Sequence, residues 1–438
     1  MKIVAGVLIV FVALTIGILL ALSQGTVLDV QPPVTALGMD TPVNVRVENG
    51  HGIRRLTAYV EQGGARYQVF SREFPAHRLF FWRLREAPRE IAFKAGKSTA
   101  PNLKDGKARL VVEAVSADLR ARADTLAFDV EVSTRPPRVV ADGFQHYINQ
   151  GGMELASFTP SGYWTESGVK VGKYTFRSFP LPGRSGERFA MFGYPWDLGP
   201  AEAPFAFASN PTGIVARGSF WYKIFPKKFR VRDFELTDAM MDKLVNQIDP
   251  SGTGSLLERF LKINRDMRRE NNRTLADQRL KTEEKVLWNG PFVRLGKEES
   301  MFADVRNYIY KGQKVDQQVH LGYDLSNVQH EPVNAANDGR VVYAADLGIY
   351  GNCIVLDHGY GLQSIYGHLS QIGVKPGDMV KKGQTMGHSG ATGLALGDHL
   401  HFSMQIDGVQ VNPVEWWDEH WIRDRILSKL NPAGAPVR

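Results

Sequence analysis

His320-Leu321-Gly322-Tyr323-Asp324, taken with His399-Leu400-His401, is the stretch on which the reading of this chain turns. Side chains of an extended strand alternate with period two, so an HxxxD spacing puts both ends on one side of a strand, and HxH does the same. Together the two stretches can give one metal ion two imidazoles and a carboxylate, with one imidazole left over. That count leaves a tetrahedral position open, as in catalytic zinc sites and unlike closed structural ones. Seven of the 11 histidines fall between His320 and His401, which concentrates ligand-type residues in one segment. Isolated histidines such as His51, His77, His146, His330 and His420 read instead as hydrogen-bonded or half-exposed residues. The segment is not a helical HExxH, because Leu321 stands where the glutamate would be. A general base must come from elsewhere, and His399 and His368 are the candidates.

Outward from these residues, 288–415 reads as a compact antiparallel β domain with an open groove, in which Cys353, the one cysteine, is a small buried hydrophobe. The glycines Gly387, Gly390, Gly393 and Gly397 lack the GK[ST] ending of a phosphate loop and precede a strand, so they read as a turn beside the groove. Asp357, Tyr366 and Asp398 are polar groups that could fix a histidine tautomer or serve ordinary loop hydrogen bonds. Asn412-Pro413 offers an N-cap and first helical residue, Val414 to Leu430 is expected to form a terminal helix, and 416–438 is taken as the C-terminal helix and tail.

The 438 residues suffice for about three domains. The overall expectation is a mainly β chain: a transmembrane helix at 1–25, two β-sandwich-like domains, a helical segment and the C-terminal β domain. Ile3 to Leu22 carries no charge and is long enough to span a bilayer at about 1.5 Å per residue. Lys2 precedes it, and Asp29 and Asp40 come before the first downstream basic residue, Arg46. The positive-inside rule then places the bulk of the chain outside the cytoplasm, single-pass in the cytoplasmic membrane. Short alternating runs from Val43 to Val132, Leu79 to Trp82 among them, suggest an immunoglobulin-like sandwich at 28–135, ended by Arg135-Pro136-Pro137-Arg138. A second strand-rich domain is expected at 139–232. A helical segment at 233–287 follows, with Met240, Met241, Leu244, Val245 and Ile248 as a core stripe and a capping box at Ser255. The formal net charge of +7 suits an anionic lipid or wall polymer. No nucleic-acid motif accompanies it, so nucleic acid is not an expected partner.

The blocks His320-Leu-Gly-Tyr-Asp324, Gly351-Asn-Cys-Ile-Val-Leu-Asp-His358, Tyr366-Gly-His-Leu-Ser370, Gly387-His-Ser-Gly-Ala-Thr-Gly393, His399-Leu-His-Phe402 and Asn412-Pro413 resemble, in order, the lysostaphin or LytM type of zinc metallopeptidase. The resemblance covers about 288–415. It implies Zn2+ held by His320, Asp324 and His401, catalytic roles for His368 and His399, and hydrolysis of peptide cross-links in bacterial peptidoglycan. With the N-terminal run it implies an enzyme anchored in the membrane, its catalytic domain in the periplasm or outside the cell. A regulatory membrane or wall protein is a candidate partner. The alternative is a non-catalytic wall-binding scaffold, or an activator of another wall hydrolase, with its groove occluded by the preceding domains. A non-haem iron oxygenase is the third reading of two histidines and a carboxylate, disfavoured by the HxxxD spacing.

Overall fold

The computed structural model describes residues 2–75, 81–83, 85–326 and 328–430. Two compact units divide the chain: the first runs to Pro137 and takes in Gly162–Thr165 and Ser209–Ala216, and the second holds the remainder.

The first unit opens with the helix Lys2–Ala21, formed over the uncharged run. Among the described residues no helix is long and apolar enough to cross a membrane, so the anchor expected at 1–25 rests on sequence alone. Beyond the helix, a three-stranded sheet in the order Val27–Val30, Thr41–Glu48, Arg89–Ala95 packs on a five-stranded one in the order Ala36–Leu37, Ala123–Val132, Gly106–Ser116, Ile53–Gln62, Ala65–Glu73. Period-two burial drives the pairing: Val43, Val45, Val47, Ile91 and Phe93 point inward against Leu56, Ala58, Val60, Leu110 and Val112. The strand expected at Leu79 to Trp82 is not seen in its described part, Phe81 and Trp82. Residues 79 and 80 lie outside the described residues, and Phe81–Arg83 is a turn of 3-10 helix with Phe81 fully buried.

The second unit joins the strands expected at 139–232, the helical segment and the C-terminal β domain into one body. A single apolar core carries Leu155, Phe176, Phe189 and Phe192 from the earlier stretch together with Leu356, Tyr366, Phe402 and Trp416 from the later one. Its main sheet has the order Lys297–Ser300, Tyr323–Ser326, Leu400–Ile406, Leu362–Leu369, Asn352–Gly359, Gly339–Asp346, Met379–Val380, with antiparallel pairing throughout. Beside it, Val231–Leu236 pairs in parallel with Asp304–Tyr310, which pairs antiparallel with Gln313–His320.

The helix Asp238–Ile248 begins at Thr237, whose side chain accepts the Met240 amide, and buries Met241, Leu244 and Val245. Ser255 and Glu258 form the expected capping box of the next helix, Leu256–Lys262. That helix passes through a π turn, Ile263–Met267, into the helix Arg268–Asp277. The terminal helix is not continuous as expected. Pro413–Trp417 is a 3-10 turn, after which Asp418 accepts the amides of His420 and Trp421 and starts a new helix. A carboxylate that satisfies orphan N–H groups in this way competes with helix continuation. Residues 431–438 of the expected tail lie outside the described residues.

The end of this helix is fastened by a buried charge. Lys429, only 3% exposed, gives Nζ–H to Glu154 Oε1 at 2.7 Å and to the Leu155 carbonyl at 2.9 Å, and its Nζ lies 3.1 Å from His146 Nδ1. His146 Nε2 in turn meets Asp142 Oδ1 at 3.0 Å. Removing one partner of a buried ion pair strands the other in low dielectric, whereas replacing both with apolar groups is often neutral. Lys429→Met is therefore expected to destabilise the protein by about 3–5 kcal/mol. The double variant Lys429→Met with Glu154→Leu should recover most of that loss in chemical denaturation. A single-variant loss within experimental error would show that the pair contributes nothing to holding the C-terminal helix.

Candidate metal centre and groove

Three segments bring the site together. His320 ends the strand Gln313–His320, and Asp324 lies in Tyr323–Ser326, a strand of the main sheet. The HxxxD pair thus spans two strands in two sheets, not one face of one strand, because the chain crosses between sheets at Leu321 and Gly322. Glycine is required at that crossing: a Cβ on Gly322 would lie 2.6 Å from His401 Cε1 and 2.7 Å from its Nε2. Asp324 and His401 are direct partners on adjacent antiparallel strands, which puts both side chains on one face. His399 precedes that strand, held by a bridge to Gly390. His368 has φ +64°, rare for a non-glycine residue, and follows Gly367, the strand partner of His401.

His320 Nε2, Asp324 Oδ1 and His401 Nδ1 converge. His320 Nε2 lies 2.9 Å from Asp324 Oδ1 and 3.0 Å from His401 Nδ1, and His401 Nδ1 lies 3.3 Å from Asp324 Oδ1. His320 Nδ1 faces the Met301 carbonyl at 3.1 Å, so that nitrogen carries the proton and Nε2 presents its lone pair. His401 Nε2 is buried with no hydrogen-bond partner. Ligand atoms about 2.0–2.2 Å from a tetrahedral ion lie roughly 3.4 Å from one another. Three buried, proton-poor atoms at about that separation therefore fit a divalent metal. Among the described residues these three are the cluster able to hold one.

His368 and His399 complete the same wall. His368 Nδ1 gives its proton to the Thr392 carbonyl at 2.8 Å and His399 Nδ1 to that of Gly397 at 2.9 Å, so both expose Nε2. The two rings lie 4.8 Å apart, and His399 Nε2 is 3.5 Å from Asp324 Oδ1. Burial opposes ionisation of Asp324, yet when the facing imidazoles are protonated the charge of His320 and hydrogen bonds from His320, His399 and His401 outweigh it and hold the carboxyl well below its usual range. Burial pushes His401 down to about 4. His368 is also held low, by burial and then by the charges of His399 and His401. For His399 burial acts in the same direction, but its hydrogen bond to Asp324 and the charge there raise it.

Arg306 is a site residue that the sequence reading missed. Its Nη2 donates to Asp324 Oδ2 at 2.8 Å, which leaves Oδ1 to face the histidines. The tautomer-fixing groups also differ from the candidates. Asp357 accepts the Glu283 and Gly359 amides, Tyr366 Oη meets the Ala336 amide and Ser364, and Asp398 accepts from Ser389 Oγ and the His330 amide. None of the three orients a site histidine; the carbonyls of Met301, Thr392 and Gly397 do. Of the glycine run, Gly387 lies in the paired strand Thr385–His388 and not in a turn, while Gly397 lines the groove and Gly393, at φ +72°, packs against the Gly351 amide so closely that a Cβ would collide with it.

The five site side chains line a cavity of about 390 Å³. Part of its wall is the helical segment and the strand before it, through Phe234, Leu236, Leu244, Phe260 and Arg268. That wall is tied to the loop before His399 by hydrogen bonds from Lys243 Nζ to the Leu396 carbonyl at 2.9 Å and from Gln247 Nε2 to the Ala391 carbonyl at 2.6 Å.

Residues 318–413 match the model of peptidase family M23. Over 96 residues the chain is 38% identical to the DD-carboxypeptidase/endopeptidase Mpg of Neisseria meningitidis, covering 22% of this chain and 22% of that protein. It is also 38% identical over 96 residues to the peptidoglycan DD-endopeptidase ShyA of Vibrio cholerae, again covering 22% of each. The matched stretch is thus about a fifth of the length of these relatives. The catalytic domain of lysostaphin from Staphylococcus simulans aligns at 26% identity with a TM-score of 0.22, covering 32% of this chain and 96% of that one. His320, Asp324, His368, His399 and His401 all fall inside the residues that match the family M23 model.

Proposed function

We propose that this chain is a zinc endopeptidase that hydrolyses peptide cross-links of bacterial peptidoglycan. The observation that carries the reading is the convergence of three proton-poor ligand atoms with two further imidazoles on one wall of an open cavity. The family match and the printed activities of its relatives supply the substrate class. The uncharged run from Ile3 to Leu22 and the positive-inside rule support a membrane anchor with the peptidase outside the cytoplasm.

His320, Asp324 and His401 would hold the ion. The chemistry it supplies when bound is Lewis acidity toward a peptide carbonyl and toward water. With Nδ1–H committed to a carbonyl, His368 and His399 can each take a proton at Nε2 from attacking water and return it to the departing amine. Whichever ring is protonated presents an N–H to the oxygen that gains charge in the transition state. Arg306 holds the outer oxygen of Asp324, so the inner one stays aimed at the ion.

Two sets of variants test the assignment. Asp324→Ala should lose bound zinc and activity together, and full zinc occupancy in elemental analysis would show that Asp324 is not a ligand. His368→Ala and His399→Ala should instead keep the metal while losing roughly 100-fold or more in turnover, the scale expected for removing a general base or an oxyanion donor. Loss of metal from either, with retention in His401→Ala, would exchange the roles within the HxH stretch. Digestion of defined muropeptides by the metal-loaded protein, read by mass, tests the substrate class; intact cross-links under conditions of full metal occupancy would refute it.

A further inference from the structure

The cavity that the metal cluster lines also holds an arginine that pairs with no carboxylate among the described residues. Arg268 is half-buried, lines the cavity and opens the helix that follows the π turn Ile263–Met267. Its described hydrogen bonds go only to Asn264: Nε to the backbone carbonyl at 3.1 Å and Nη2 to Oδ1 at 2.6 Å. The other guanidiniums of the cavity are paired, Arg232 with Asp304 and Arg306 with Asp324. The carboxylates of the cavity are committed as well: Asp324 to the histidines and Arg306, Asp398 to Ser389 and the His330 amide, Glu299 to Ser326.

The unpaired guanidinium is also held in place. Asn264 is fully buried, and its Nδ2 donates to Asp316 Oδ2 at 2.8 Å, while Asp316 Oδ1 accepts from Arg265 Nε at 2.9 Å. A side chain fixed by a neutral, locked acceptor loses little freedom when it binds, and π turns recur at functional positions. A partly desolvated cation without an anion is costly unless a ligand supplies one. Beside Arg268 the cavity is lined by Leu244, Phe260 and Ile349, which suit a methylene chain. Resting on the peptidase reading, we propose that Arg268 is a specificity residue that receives a carboxylate at the end of an aliphatic side chain of the substrate peptide. The contact is a charge-assisted, fork-to-carboxylate hydrogen bond.

Calorimetric titration of the metal-loaded full chain with two short peptides tests this. Both lack a cleavable cross-link and differ only in ending the aliphatic side chain in a carboxylate or a carboxamide. The wild type should bind the carboxylate peptide at least about tenfold more tightly, the scale of a hydrogen bond to a charged group. Arg268→Gln should bring the two within about twofold by weakening the carboxylate peptide alone, with metal content and thermal midpoint unchanged. Arg268→Lys, which keeps charge and loses the fork, should fall between and serves if the glutamine variant does not fold. Equal or undetectable binding of both peptides by the wild type, a preference retained in Arg268→Gln, or equal weakening of both would overturn the proposal. Because neither peptide is cleaved, a failure of cross-link hydrolysis is read separately and bears on the peptidase reading alone.

Discussion

Three ligand atoms that carry lone pairs and few protons sit about 3 Å from one another beneath a groove, and much of the surrounding structure holds them there. His320, Asp324 and His401 would repel one another as bare acceptors, so each needs an external restraint. The Met301 carbonyl fixes His320, strand register sets Asp324 against His401, and the bare Gly322 leaves room for the His401 ring. Arg306 acts on the remaining freedom, the rotation of the Asp324 carboxylate. A guanidinium there lowers the net negative charge available to a cation, an electrostatic cost offset by keeping one oxygen pointed correctly. Fixed orientation counts for more than charge where a ligand set must leave one position open.

The same dependence extends past the matched family residues. The core of the main sheet is completed by Leu155, Phe176, Phe189 and Phe192, and the cavity takes Phe234, Leu236, Leu244, Phe260 and Arg268 into its lining. Cutting the chain near residue 285 would strip Phe179 and Phe189 from Tyr360 and Met153 from the fully buried Trp416. At about 25 cal/mol per Å² of exposed apolar surface, losing contacts on that scale competes with the whole stability of an ordinary domain. The stretch at 139–232 is therefore a structural part of the second unit. The helical segment is likewise a built wall of the groove, tied to it through Lys243 and Gln247.

What the sequence disclosed follows from how local each feature is. The spacings of His320, Asp324, His399 and His401 survive as a cluster even though the strand argument for the first pair was wrong, because a two-residue crossing returns the chain to the same place. The capping box at Ser255 was legible because its side-chain and backbone partners lie within three residues. The fusion of 139–232 with the C-terminal domain was not legible, since strands of either arrangement show the same alternation and only long-range packing distinguishes them. Arg306 was invisible for a similar reason: it reaches Asp324 from a separate strand, eighteen positions away, and nothing in its neighbours marks it.

The orienting groups were missed for a chemical reason with consequences of its own. Backbone carbonyls leave no signature in a sequence, yet Met301, Thr392 and Gly397 each set the proton of one imidazole. A carboxylate in that place would add a negative charge beside the ring, stabilise the imidazolium and so set a proton in competition with the metal. A carbonyl accepts the same N–H without ionising, and its hold does not change with pH. Burial then works in the same direction on His368 and His401, disfavouring their charged forms. Neutral imidazoles with directed lone pairs are what both metal binding and proton abstraction require. For His368 and His401, low solvent access and the neighbouring imidazoles favour that state against the opposing pull of Asp324, and the neutral acceptors behind the rings direct the lone pairs.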